Sequence, residues 1–140
     1  QFNDAHGHDV GDQVLRLVAA RLAEVGGGGK AHRYGGEEFC VLFDGRALDE
    51  ALPHLERIRA SIEQYRMAVR SEDRPKDAQA GSQRRAAQPE RKPADNTLSV
   101  TVSIGVADRR DARTPPVQVI RAADEALYRA KQSGRNRVAQ

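Results

Sequence analysis

Apolar residues along the chain fall into three stretches with helical spacing, separated by short alternating runs. From Asp9 to Val25 they recur at Val10, Val14, Leu15, Val18, Leu22 and Val25, which predicts an amphipathic helix with one face toward a core. The run Gly26 to Gly29 stops it. From Leu48 to about Met67 the positions Leu48, Leu52, Leu55, Ile58, Ile62 and Tyr65 repeat the three-and-four spacing and predict a second core helix. A third is expected to open at Thr114 as N-cap, with Pro115 at the first helical position. It carries Val117, Ile120, Ala123, Ala126, Leu127 and Ala130, and ends at Gly134.

Between the helices the period changes to two. Leu98, Val100, Val102, Ile104 and Val106 alternate with Ser99, Thr101, Ser103 and Gly105, which predicts one strand with small residues on its second face. Ala31 to Tyr34 and Glu38 to Phe43 flank Gly35-Gly36, a dipeptide suited to the positive φ of a tight hairpin turn, and Asn136 to Ala139 make a last short strand. The order helix, hairpin, helix, strand, helix, strand predicts an α+β fold, an α/β sandwich in which one mixed sheet is covered by helices. Residues 66–96 break the pattern. Val69 is their only branched aliphatic residue, and such a segment buries too little surface to offset its ordering entropy. The expected organisation is therefore a single domain over 1–140 carrying a disordered insertion at 66–96.

Charge changes this picture less than it first suggests. The net charge of +3 invites a nucleic-acid reading, but residues 66–96 hold eight basic and five acidic side chains, leaving the rest balanced at 15 of each. With no Trp and only three Phe and three Tyr, the stacking platforms of many nucleic-acid modules are also missing, so no nucleic-acid partner is expected. A lone cysteine, Cys40, cannot form an intrachain disulfide, and no apolar leader is present, which points to the cytoplasm. No run approaches the roughly 18 apolar residues of a membrane span, so any membrane link of the parent protein lies outside this chain. The chain has no initiating Met and opens at Gln1-Phe2-Asn3-Asp4, which suggests a fragment of something longer.

Candidate chemistry concentrates in Arg33-Tyr34-Gly35-Gly36-Glu37-Glu38-Phe39. Glycines at a hairpin tip let the backbone approach a ligand closely, and the carboxylates after them are hard oxygen donors suited to Mg²⁺ or Mn²⁺. Taken alone, the run is equally the sequence of a solvated surface hairpin. Its company decides: Asn3-Asp4-x-x-Gly7-His8-x-x-Gly11-Asp12 upstream, Ser103-Ile104-Gly105-Val106, and Ala123-Asp124-x-Ala126-Leu127-Tyr128-x-Ala130-Lys131-x-x-Gly134-Arg135-Asn136 downstream.

Together these motifs resemble the GGDEF family, the diguanylate cyclases, in the GGEEF spelling, from Asn3 to Val138 with the insertion as interruption. The resemblance implies a fold like the palm of nucleotidyl cyclases and polymerases. It also implies a homodimer in which two GTP molecules become cyclic di-GMP and two pyrophosphates, in bacterial second-messenger signalling. It makes Glu37 the metal ligand and proton acceptor, with Glu38 in support and Gly35 and Gly36 as the turn over the phosphates. Asn3, His8 and Asp12 take guanine, an acid and an amide complementing its donors and acceptor. Lys131 and Arg135 take the triphosphate, at a helix end whose dipole cannot itself bind anions. As a lone pair, these two cations would equally serve as C-terminal capping residues.

Blander readings suffice elsewhere. His6 and His8 lack a third ligand for a transition metal, Cys40 reads as a small buried residue, and Asp124 as a structural one. Two departures from the family matter. Its first strand, with a metal-binding Asp followed by a Lys and a Phe, precedes the Asn, whereas this chain starts two residues before Asn3. By itself the chain is thus expected to be inactive, with strand edges left unpaired; an N-terminal sensory or dimerisation region is expected outside it. The alternative is a non-catalytic member acting as a GTP-binding or dimerisation module. The second departure concerns the Arg-x-x-Asp inhibitory site of many members, which falls here on Gly26-Gly27-Gly28-Gly29, so no product inhibition of that kind is expected.

Overall fold

The computed structural model describes residues 8–68, 97–109 and 111–140. Helix α1 spans His8–Ala23, strands β1 Gly29–Gly35 and β2 Glu38–Phe43, helix α2 Leu48–Gln64, and strands β3 Met67–Ala68, β4 Thr97–Leu98 and β5 Ile104–Gly105. Helix α3, Pro116–Gln132, and strand β6, Val138–Ala139, complete the chain. It divides into two units, residues 66–98 and the remainder. In the smaller unit β3 pairs antiparallel with β4, Met67 opposite Leu98. The disorder expected for 66–96 concerns residues 69–96, which lie outside the described residues, but Met67 and Ala68 belong to a strand.

In the larger unit the helical spacing finds its core. Val18, Leu22 and Val25 from α1 and the loop after it meet Ile58 and Ile62 from α2, and Phe39, Val41 and Phe43 of β2 pack against them with Val100 and Val102. Ile62 is fully buried, a contribution of about 1.5–3 kcal/mol. Helix α1 ends at Ala23, two residues before the expected Val25, and two other helix ends also differ from expectation. Helix α2 stops at Gln64, and Tyr65 turns extended at its C-cap (ψ 129°), its ring lying under the Arg21 guanidinium at 4.9 Å. Helix α3 begins one residue late, because Pro116 takes the first helical position and forces the residue before it, Pro115, out of the helical region (ψ 144°). Thr114 therefore lies outside the helix.

The α+β class holds, but hydrogen bonds among the described residues join strands only in pairs: β1–β2 and β3–β4 antiparallel, β5–β6 parallel. The alternation from Leu98 to Val106 yields ladder bonds only at its ends. Between them Val100 and Val102 face the core while Ser99 and Thr101 are exposed, so the period of two survives as packing, with no strand paired beside it among the described residues.

Of the apolar stripe expected on helix α3, the small residues toward its end are buried and the larger ones near its start are not. Ala126 and Ala130 are fully buried, whereas Val117 is 69% and Ile120 41% exposed. The cause is at Gly105: a Cβ there would overlap the carbonyl oxygen of Ala123 and the backbone nitrogen of Leu127, and would lie 2.7 Å from the Leu127 Cα. The helix rests on the bare backbone of β5, which only small side chains permit. Asp124 is exposed on this helix, and its side chain makes no hydrogen bond among the described residues.

Candidate functional site

The β1–β2 hairpin builds the tip of the site. Its register runs Arg33 opposite Phe39, then Gly35 opposite Glu38, so Tyr34 is an extra, bulged residue. The turn itself is Gly36-Glu37, one residue further along than Gly35-Gly36. Gly36 has φ +52°, the left-handed conformation that a first turn residue needs and glycine supplies without cost, while Gly35 is the last residue of β1. Arg33 closes the turn from below: its Nε and Nη2 donate to the Gly36 carbonyl at 3.1 and 2.7 Å. Bulge and clamp thus fix the peptide that leads into Glu37. Glu37 and Glu38 are exposed and make no ion pair among the described residues. Two adjacent exposed carboxylates on a fixed turn suit a hard divalent cation in donor chemistry, although the described residues hold no group of three potential metal-ligating side chains.

Beside the hairpin lies a cavity of about 360 Å³, lined among others by Asp12, Leu15 and Arg16 of α1, His32 and Arg33 of β1, and Phe39 of β2. Its size suits a nucleobase-sized ligand. The structure thus joins Asp12 to the signature hairpin, since Arg33 and Phe39 belong to both. Asn3 lies outside the described residues, and His8 opens α1. Leu15, Arg16 and His32 are lining residues that motif reading missed. Arg16 could have been found, because it stands four after Asp12 on one face of the same helix.

Lys131 and Arg135 are exposed at the C-terminal end of α3, and no hydrogen bond or ion pair joins them to Glu37 or Glu38. Around them the chain is held closely. The Arg135 N–H donates to the Ala130 carbonyl at 2.9 Å, and Asn136 is gripped by Arg59 and Glu63 of α2. The Arg59 guanidinium, and after it the Asn136 amide, hold the Glu63 carboxyl below its ordinary range. Half-buried Cys40 has its thiol pushed up by desolvation, which keeps it protonated and suits packing rather than nucleophilic chemistry.

Comparisons with known proteins bear on this geometry. A family model described as "Diguanylate cyclase, GGDEF domain" matches residues 1–90 and 78–137. The response regulator PleD of Caulobacter vibrioides is 38% identical over 139 residues, 99% of this chain and 26% of PleD. Among solved structures, the GGDEF domain of DgcB from Caulobacter crescentus in complex with c-di-GMP is similar with a TM-score of 0.74 at 32% identity, over 99% of this chain and 68% of that one. The active GGEEF domain of a diguanylate cyclase from Vibrio cholerae gives a TM-score of 0.70 at 26% identity, over 98% and 72%. The chain spans about a quarter to a third of the length of the curated relatives it matches. No helix among the described residues is long and apolar enough to cross a membrane.

Proposed function

The chain belongs to the GGDEF family, the diguanylate cyclase domains, and from that premise we propose that within the full-length protein it condenses two GTP molecules into cyclic di-GMP and two pyrophosphates as a homodimer. The observation that carries this reading is the Gly36-Glu37 turn, clamped by Arg33 and standing beside the cavity that Asp12 lines. Asp12 accepts hydrogen bonds from the donor edge of guanine, with Asn3 and His8 completing the pocket. Glu37 takes the proton of the attacking 3′-hydroxyl as that oxygen approaches the α-phosphorus of the opposing GTP. Lys131 and Arg135 hold the triphosphate tail, Arg135 through its planar fork of donors. Glu37, with Glu38 in support, would hold Mg²⁺ or Mn²⁺, which when bound neutralises phosphate charge and lowers the pKa of the attacking hydroxyl. Each domain holds one GTP and must face a second, so the rate per domain depends on association.

The test follows pyrophosphate release by the full-length protein with GTP and with ATP in the presence of Mg²⁺. Release from GTP alone, at a specific rate that falls on dilution, is the expected result. Equal release from ATP, or a specific rate indifferent to dilution, would contradict the reading.

Product inhibition is expected to be absent at Gly26 to Gly29. Beyond lacking basic and acidic side chains, this loop is packed against His54: a Cβ at Gly26 would lie 2.8 Å from its Nδ1, a buried atom with no hydrogen-bond partner among the described residues. At Gly27 a Cβ would likewise meet the His54 ring and at Gly29 the Phe43 ring, while Gly28 faces open space. Calorimetric titration of the full-length protein with cyclic di-GMP should show no tight site that is lost on substitution in this loop. Finding one would overturn the expectation.

A further inference from the structure

The turn after α3 carries more constraint than a helix exit needs. Gly134, Arg135 and Asn136 all have positive φ (103°, 60° and 47°). For glycine this conformation is free and for asparagine tolerable, but an arginine there costs on the order of 1–2 kcal/mol. Strain of this kind persists only where the surroundings over-determine the backbone.

The surroundings do so from three sides. The Arg135 N–H donates to the Ala130 carbonyl at 2.9 Å, closing the helix end in the six-to-one pattern that a left-handed exit uses. The Asn136 N–H donates to Ser103 Oγ at 3.2 Å, tying the turn to the residue before β5. The third tie is a closed ring with α2: Arg59 Nη1 donates to Asn136 Oδ1 at 2.7 Å and to Glu63 Oε2 at 2.8 Å, while Asn136 Nδ2 donates to Glu63 Oε1 at 2.7 Å. Arg59 is largely buried and is held from its other side by Glu56 at 2.7 Å. The Arg135 N–H and the whole of Asn136 are therefore tied, yet the Arg135 guanidinium makes no hydrogen bond or ion pair among the described residues. Among the described residues its side chain returns no polar contact for the strain of its backbone.

We propose that Asn136, clasped by Arg59 and Glu63, is a positioning residue that holds Arg135 in its left-handed conformation, so that the guanidinium is set in advance for the outer phosphates of the bound nucleotide. This rests on the assignment of Arg135 to the triphosphate, which the experiment checks separately. Setting the cation before binding lowers the ordering cost of each phosphate contact.

The experiment uses the full-length protein with Mg²⁺ and two probes: GTP with a methylene bridge between the α and β phosphorus, which cannot be turned over, and GMP, which lacks the outer phosphates. The R135A variant is expected to bind the triphosphate about ten- to a hundredfold more weakly, the range of a charge-assisted contact. N136A should lose roughly fivefold on the triphosphate and nothing on GMP, a selectivity that general loosening of the fold would not produce. N136G, which accepts φ +47° without strain but lacks the amide, should show the same selective loss and serves if N136A does not fold. If R135A binds the triphosphate like wild type, the phosphate assignment itself falls. If R135A weakens binding while N136A and N136G do not, or if they weaken both probes equally, the positioning role is refuted.

Discussion

Replacing Glu37 by Gln is expected to lower the rate of cyclic di-GMP formation by on the order of 10² to 10⁴-fold, the contribution of a positioned proton acceptor. The substitution keeps the size and much of the hydrogen-bonding capacity of the side chain, so the turn that Gly36 and Arg33 define should survive. What it removes is the charge and the basic oxygen. The residue is exposed and makes no ion pair among the described residues, so the unfolding temperature should move little. A large fall in turnover with an unchanged unfolding midpoint is the expected signature. Retained turnover would show that the carboxylate at the hairpin tip is not the acceptor.

The second large effect is structural. Gly105→Ala places a methyl group where it would overlap backbone atoms of Ala123 and Leu127. Flexible side chains can move aside, but two backbone segments of one helix cannot, so α3 must lift from β5. Overpacking of this kind costs about 3 kcal/mol or more, or roughly 10–15 °C in the unfolding midpoint of a domain of this size. The lifted helix also carries Lys131 and leads into Arg135, so the affinity for a triphosphate should fall with the stability. Thermal unfolding followed by circular dichroism checks the first part. A shift below 2 °C would mean that the helix does not rest on the β5 backbone.

The sequence carried the elements better than their ends and faces. Three-and-four spacing located the three helices of the described residues, and the signature run located the hairpin, because both are local patterns whose spacing follows directly from backbone geometry. The end of α2 and the start of α3 shifted for local reasons as well, an extended Tyr65 stacked on Arg21 and the second of two prolines at the first helical position. The inward face of α3 was harder to read. Val117 and Ile120 have the greater hydrophobicity, but the partner surface is the backbone at Gly105, and close approach selects alanines. The link from Arg59 to Asn136, 77 positions apart, leaves no trace in periodicity, since each residue alone reads as a surface polar group. At the site, Asp12 and the hairpin were legible from motifs and the structure places them around one cavity, whereas the lining by Leu15 and His32 depends on how α1 lies against β1.

Identification of the product separates cyclase activity from every other fate of bound GTP. The full-length protein and its E37Q variant are incubated with GTP and Mg²⁺, and nucleotides are separated and weighed by mass spectrometry alongside a pyrophosphate assay. The wild type should yield cyclic di-GMP, with two pyrophosphates for each molecule formed, and E37Q little. Absence of cyclic di-GMP from the folded, GTP-bound wild type, or its formation at equal rates by both proteins, would contradict the proposed mechanism.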